Sequence, residues 1–368
     1  AENDAPARAR EILSATGITG GLIVHIGARD AAVTAALRAG DAYIVHSLDR
    51  DRSAVERARA YLLAHSLYGP VAADRLDGAR LPYVDNTVNL VVVEDSPDVP
   101  AAEITRVLAP HGVAYVNRDG RWEKTVKPWP AEIDEWTHYL HDPGNNAVAH
   151  DTVVAPPRGL AWVGSPRWSR HHDHMSSISA LVSAGGRIFY IFDEAPAASI
   201  QLPPRWALIA RDAFNGVVLW KRPIPLWHPH LWPLKSGPAQ LPRRLVAAGD
   251  RVYVTLGLDA PVAALDAATG ETARTYEGTR TAEEILLADG VLFLLVNETP
   301  VTHADYKPVA TVCWDEMRSV NQGRPWDAKP RRLVALKADS GETLWRRQHA
   351  VVPLTLAVDR AHVYFHDG

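Results

Sequence analysis

Leu208-Ile209-Ala210-Arg211-Asp212-Ala213-Phe214-Asn215-Gly216 decides the reading of the second half of this chain, because the phrase returns twice. It recurs as Val262-Ala263-Ala264-Leu265-Asp266-Ala267-Ala268-Thr269-Gly270 and as Leu333-Val334-Ala335-Leu336-Lys337-Ala338-Asp339-Ser340-Gly341. In every copy an apolar run ends in Ala-x-(Asp or Lys)-Ala-x-(Asn, Thr or Ser)-Gly. A strand running into a small polar residue and a glycine predicts a hairpin: the glycine supplies positive φ, and the side chain before it bonds the turn backbone. Two copies continue to a tryptophan four residues after the glycine, Trp220 and Trp345, and the middle copy has Arg274 there. One four-stranded sheet cannot bury both faces alone, so repetition of its hairpin predicts radially stacked sheets, a β-propeller occupying residues 158–368.

The phrase resembles the repeat of the propellers of the pyrroloquinoline quinone (PQQ) type, the family of quinoprotein alcohol dehydrogenases and of the propeller lipoprotein of outer-membrane protein assembly. The resemblance covers about the last 210 residues and implies fold more than function. Blades are expected over 158–222, 243–276 and 281–348, followed by two strands, Leu354 to Val358 and His362 to Phe365. Propellers usually have about four to eight blades, so the ring is expected to be partial, its remaining blades coming from further sequence or from another chain. The quinoprotein dehydrogenases characteristically have adjacent cysteines, and Cys313 is the single cysteine here, so PQQ is not expected as a cofactor.

Toward the amino terminus the pattern changes to alternating helix and strand. Helices are expected at Ala5–Thr16, Ala31–Ala39, Ser53–Ser66 and Ala101–Leu108, and strands at Gly21–Ile26, Tyr43–Ser47, Val71–Asp74, Val88–Val93 and Gly112–Asn117. Such alternation predicts a Rossmann-like α/β domain over 1–120, with a parallel sheet covered by helices on both faces. Residues 121–157, rich in Trp and Pro, read as a connector in which Glu135 to Asp142 offers a strand that closes the propeller.

Four segments of the first domain resemble class I S-adenosylmethionine-dependent methyltransferases, in order and spacing. They are Leu22-Ile23-Val24-His25-Ile26-Gly27, Ser47-Leu48-Asp49, the run from Asp77 through Leu81-Pro82 to Val91, and Glu103-Ile104-Thr105-Arg106-Val107-Leu108-Ala109-Pro110-His111-Gly112. The resemblance implies that Gly27 approaches the cofactor, that Asp49 accepts from its ribose hydroxyls and that Asp77 lies near its adenine. It also exposes departures: His25 stands where the family has an acid, and Arg29 and Ala31 stand where it has its second and third glycines. A side chain as large as Arg29 at the closest approach would fill space the cofactor needs, which disfavours S-adenosylmethionine binding.

Composition sets outer limits. Hydrophobic residues make 47%, charged residues 22%, and the net charge of −4 lacks the basic excess of a nucleic-acid binder. No apolar run approaches the length of a membrane span. The opening Ala1-Glu2-Asn3-Asp4-Ala5-Pro6 resembles a terminus left by signal peptidase, so an exported chain, periplasmic or extracellular, is expected, with a cytoplasmic one as the alternative.

Two histidine-bearing segments are candidates for chemistry. In His171-His172-Asp173-His174 only alternate residues of an extended chain converge, which selects His172 and His174 as metal ligands, against a hydrogen-bonded surface loop. Trp227-His228-Pro229-His230-Leu231-Trp232 joins blades one and two, and Trp227, His228, His230 and Trp232 would form a ligand surface for a sugar or peptide, against inter-blade packing. His138 and His141 read as structural. The sequence therefore points first to a binding or scaffold protein whose propeller engages a carbohydrate, peptide or protein partner, with a degenerate methyltransferase-like docking domain. The alternatives are an S-adenosylmethionine-dependent methyltransferase with a propeller substrate domain, and a quinoprotein-like oxidoreductase whose site lies in the missing blades.

Overall fold

Pro6 in its first turn and Gly17 in the left-handed conformation at its end delimit the first helix, α1 (Ala5–Thr16). Strand β1 (Gly21–Ile26) follows, then α2 (Ala31–Ala36), β2 (Tyr43–Asp49), α3 (Arg52–Ala64), β3 (Val71–Arg75), β4 (Val88–Val93), α4 (Ala101–Val107), β5 (Leu108–Arg118) and β6 (Arg121–Val126). The computed structural model describes residues 4–28, 30–94, 99–154, 156, 159–166, 177–198, 202–227, 240–299 and 329–367. Its backbone divides into two compact units, the first comprising 1–133, 153–164 and 211–220, the second 134–152, 165–210 and 221–368.

The first unit is a Rossmann-like sheet in the order β3-β2-β1-β4-β5-β6. Strands β1 to β5 run parallel, and β6 pairs antiparallel with β5. Successive side chains of a strand face opposite ways, and here both faces are covered. Ile23, Val45, Leu90 and Val92 pack with residues of α1, α2 and α3, while Val24, Ile26, Leu48, Val91 and Val93 pack with Ile104 and Val107 of α4. This is why β1 and β4 read as near-continuous apolar runs.

Residues 121–126, expected in the connector, form β6 instead. Only Trp122 of that strand has its face covered, stacked on Tyr115 with ring centroids 4.6 Å apart. An edge strand with one covered residue has no apolar alternation to betray it.

Asn89, the polar residue inside the β4 run, has a specific set of partners. It accepts from the Leu22 backbone N–H at 2.8 Å and from the Asn215 amide at 2.7 Å, and donates to Asp212 at 2.6 Å. Gly21, at φ +100°, makes room for it: a Cβ there would lie 1.9 Å from Asn89 Oδ1.

Among the described residues that follow, the regular elements are strands, apart from one 3-10 turn at Leu241–Arg244. The strands are β7 (Ile178–Ala184), β8 (Arg187–Asp193), β9 (Trp206–Asp212), β10 (Val218–Ile224), β11 (Leu245–Ala248), β12 (Arg251–Thr255), β13 (Val262–Asp266) and β14 (Thr272–Thr275). They continue as β15 (Ala282–Ala288), β16 (Val291–Val296), β17 (Arg331–Lys337), β18 (Thr343–His349), β19 (Ala357–Val358) and β20 (Val363–Tyr364). Three four-stranded sheets, β7–β10, β11–β14 and β15–β18, take their strands in sequence order, and β19 pairs with β20. The second and third sheets are antiparallel throughout.

The three repeated phrases form the turn between the third and fourth strand of each sheet. Gly216, Gly270 and Gly341 have φ of +75°, +73° and +76°. Their N–H groups bond the carbonyls of Asp212, Asp266 and Lys337 at 3.0, 2.8 and 2.8 Å. Asn215, Thr269 and Ser340 each accept from the backbone N–H two residues on, at 3.1, 3.3 and 3.2 Å.

Candidate functional site

In a doubly wound sheet the crevice lies outside the carboxyl ends of the strands, where strand order reverses, here between β1 and β4. Backbone bonds carry the chain ends alongside one another there. Gly27 N–H bonds Leu48 O at 3.0 Å, Leu76 N–H bonds Asp49 O at 2.8 Å and Glu94 N–H bonds Ile26 O at 3.1 Å. Gly27, Asp49, Leu76-Asp77 and Glu94 thus form one edge across four neighbouring strands. Gly27 has φ +68°, a conformation that a side chain makes costly.

The side chains along this edge are partly engaged. Asp49 accepts from the Asp51 backbone N–H at 2.8 Å, and the exposed Asp77 pairs with Arg75 at 3.1 Å. His25 is fully buried between Thr34 of α2 (Nδ1 to Oγ1, 2.9 Å) and Glu94 at the end of β4 (Nε2 to Oε1, 3.3 Å). Glu94 also receives Arg8 of α1 at 3.1 Å. Asp30 caps α2, accepting from Ala32 N–H at 2.8 Å.

Arg8, Asp30 and Glu94 face a cleft of about 600 Å³, whose other wall is the end of β5 and the turn after it, Asn117 to Gly120. Arg118 and Asp119 of that wall also line it, so two guanidiniums and three carboxylates border the cleft; guanidiniums and carboxylates together can take up a zwitterion, a cation meeting its carboxylate and the acids its ammonium. His25, Glu94, Arg8 and Asp30 were not singled out by sequence reasoning as ligand groups. The signal available was positional: each lies at the carboxyl end of a strand or on a helix flanking it.

The segment between β3 and β4 is fixed from α4. Arg106 donates to Tyr83 O at 2.9 Å and Leu81 O at 3.2 Å and pairs with Asp85 and Glu103, both at 2.6 Å. Glu103 in turn accepts from Leu81 N–H at 2.7 Å, and the Arg106 hydrogen bond holds its carboxyl down at about 2.

The other expected site residues fare differently. Arg29, His172, His174, His228, His230, Trp232 and Cys313 lie outside the described residues. Ala31 opens α2. Trp227 is buried, at 5% exposure, and its indole N–H donates to Ser179 Oγ at 2.9 Å. This is the packing alternative for that one residue: its amphipathic ring is buried and satisfied by a hydroxyl.

Residues 134–145 touch all four β sheets in turn. Trp136 O accepts from Ser183 N–H of β7 at 2.7 Å, and Thr137 O accepts from Ala247 N–H of β11 at 3.0 Å. His138 Nε2 accepts from Leu287 N–H of β15 at 3.0 Å, and Pro143 O from Val358 N–H of β19 at 2.8 Å. A ring nitrogen that accepts a backbone N–H must be unprotonated, and burial pushes the His138 pKa down to about 3. His138 is therefore a neutral structural histidine. His141, three residues on, instead meets Asp134 and His150, and this is the histidine–carboxylate group suited to metal among the described residues.

Among the described residues no helix is long and apolar enough to cross a membrane. No protein-family model matches the chain, and no curated protein does. Among solved structures, 30% of the chain is similar to a protein described as an S-adenosylmethionine-dependent methyltransferase from Methanococcus maripaludis, at 28% identity and a TM-score of 0.29. It is also similar to an S-adenosylmethionine-dependent methyltransferase from Aquifex aeolicus (19%, TM-score 0.26) and to geranyl diphosphate C-methyltransferase from Streptomyces coelicolor (14%, TM-score 0.28), again over 30% of the chain. The matches cover 54%, 66% and 44% of those proteins, so the chain spans about half the length of the structures it resembles.

Proposed function

We propose that the amino-terminal unit binds S-adenosylmethionine at the carboxyl edge of its parallel sheet and serves as a methyltransferase domain. The observation that carries this reading is the edge itself: Gly27, Asp49, Asp77 and Glu94 follow one another across four adjacent strands, and Glu94, the last of them, lines a cleft of about 600 Å³ together with Arg8 and Asp30. Asp49 would take the ribose hydroxyls and Asp77 would lie near the adenine. Arg8 would meet the methionyl carboxylate, and Asp30 and Glu94 its ammonium. The cofactor supplies an electrophilic methyl on sulfur; the chain's part is to hold it and keep the cleft dry. The residues fit that group at Gly27 and Asp49, and depart from it at His25, which replaces an acid, and at Arg29 and Ala31, which replace glycines.

Calorimetric titration of the whole chain with S-adenosylmethionine and S-adenosylhomocysteine tests the reading. Saturable micromolar binding is expected, weakened at least tenfold by Asp49→Ala. No heat with either ligand would overturn it.

A second reading, a binding protein whose first unit only packs or docks, is favoured by one observation. Asp49, Asp77 and His25 already have protein partners. In that reading the β unit is part of a PQQ-type propeller that takes a carbohydrate, peptide or protein. The propeller is supported by the packing of the first strands β7, β11 and β15 side by side and by the single segment, 134–145, that bonds every sheet.

A further inference from the structure

We propose that Asp134, His141 and His150 bind one divalent transition-metal ion. His141 Nε2 lies 2.7 Å from Asp134 Oδ2, and His150 Nδ1 lies 3.7 Å from the same oxygen. The three ligand atoms all fall within 4.8 Å of one another. Bonds of about 2.0–2.2 Å to a common ion place neighbouring ligand atoms about 3–3.5 Å apart, so only small side-chain adjustments separate this group from a coordination sphere.

The backbone holds the ligands in place before any ion arrives. Asp134 Oδ2 accepts the His150 backbone N–H at 2.7 Å, Asp134 Oδ1 accepts that of Glu135 at 2.8 Å, and Asp151 accepts that of Asp134 at 2.6 Å. His141 sits at φ +71° in a turn closed by reciprocal backbone bonds with His138 at 3.1 and 3.2 Å. The side chain of His141 is 4% exposed and that of His150 is 72% exposed, so the group is anchored on one side and open to solvent on the other.

A second observation points to an ion. His141 Nδ1 is buried and makes no hydrogen bond, with Asp142 Oδ2 3.4 Å away. If Nε2 carries the proton, it satisfies Asp134 and leaves Nδ1 as a buried orphan acceptor. If Nδ1 carries it, the proton points toward Asp142, but the Nε2 lone pair then faces the Asp134 carboxylate. For the neutral ring, a cation between Nε2 and Asp134 resolves both difficulties, with Asp142 as the carboxylate that orients the metal-bound imidazole. Two imidazoles and one carboxylate with open positions suit zinc, cobalt(II) or iron(II) rather than calcium or magnesium.

The test is titration of the metal-stripped whole chain with Co²⁺, followed through its visible ligand-field bands, and with Zn²⁺ in competition. One equivalent is expected, with the band intensity of a low-coordinate nitrogen and oxygen site. His150→Ala removes an exposed ring and should leave thermal unfolding of the metal-free protein unchanged while weakening binding at least tenfold. Asp142→Asn should weaken it about tenfold. Absence of a stoichiometric site, or wild-type affinity in His150→Ala, overturns the proposal. So does a site lost in the His172→Ala/His174→Ala double variant but kept in His150→Ala, since the ion then belongs to the histidine run.

Discussion

In the parallel sheet, charge is held at the strand ends; in the third antiparallel sheet it is held inside the strands. Strands β1 and β4 bury Ile23, Val24, Ile26 and Val91 to Val93, and the acids, Glu94 just past β4 and Asp49 as the last residue of the neighbouring β2, stand at the strand ends. By contrast β15 buries Glu283 and Glu284 side by side, and β17 begins with a fully buried Arg331. The register shift between Ala282 and Glu284 permits this, because a bulge puts an extra residue opposite one partner and re-aims its side chain. Glu283 then pairs with Arg331 at 3.2 Å and accepts from Asn297 at 2.8 Å. Glu284 meets Arg243 at 3.4 Å and accepts from the Leu354 backbone N–H. Polar groups at the strand ends stand where a ligand of the crevice would meet them. Polar groups closed inside a sheet specify packing, and this contrast is why the proposed site is placed on the first set and architecture on the second.

The largest effect should come from breaking the closed set. Arg331→Met removes one partner of a buried ion pair and leaves Glu283 without its cation. A loss of about 3–5 kcal/mol is expected, read from urea unfolding of the whole chain. A loss below about 1 kcal/mol would mean that this pair is no more closed than the charges at the parallel sheet's edge.

The same contrast explains what could be read from the residues alone. The hairpin phrase worked because one glycine conformation and one carbonyl contact recur, and all three turns share them. Strands β1 and β4 worked because burial on both faces leaves an unbroken apolar run. The strand at 121–126 did not, since nearly all its side chains face solvent. Glu283 and Glu284 carry no such signal, since nothing local announces a bulge or the two arginines, both more than forty residues away, that pair with them. At the crevice, the positions of Gly27 and Asp49 were legible through their family spacing, whereas the meeting of Arg8 and Glu94 depends on strand order. Asp134, His141 and His150 were illegible as a group because a turn at positive φ, not a periodic element, brings them together.

A medium effect should appear in the pH dependence. Burial is the main cause that raises the Glu284 carboxyl to about 7, with the neighbouring Glu283 adding to it, while Arg243 and the Leu354 N–H act the other way. A raised folded pKa means that the protonated acid is the stabilising form. Its contribution is complete below the ordinary value near 4.5 and is lost as the pH climbs through about 7. Roughly 2–3 kcal/mol should therefore drain away across that window. Glu284→Gln keeps the acceptor for Leu354 and cannot ionise, so its stability should vary less between pH 4.5 and 7 than that of the parent chain. Equal slopes in the two proteins would show that Glu284 stays ionised throughout, supported by Arg243.

The smallest effect, and the one that most sharpens the contrast, lies at Asp30. Its carboxylate caps α2 and also faces the cleft. Asp30→Ala removes the cap and should cost about 1 kcal/mol, seen as faster hydrogen exchange in α2 and a small drop in unfolding midpoint. Asparagine caps about as well as aspartate, so Asp30→Asn should restore the exchange rates while leaving the cleft without that charge. The two variants separate the roles. If S-adenosylmethionine affinity falls in both, the charge meets the ligand's ammonium; if it falls only in Asp30→Ala, the residue acts by holding the turn after Gly27. Should Asp30→Ala leave α2 exchange unchanged, the cap would have no structural weight, and the edge would hold its charges for the ligand alone.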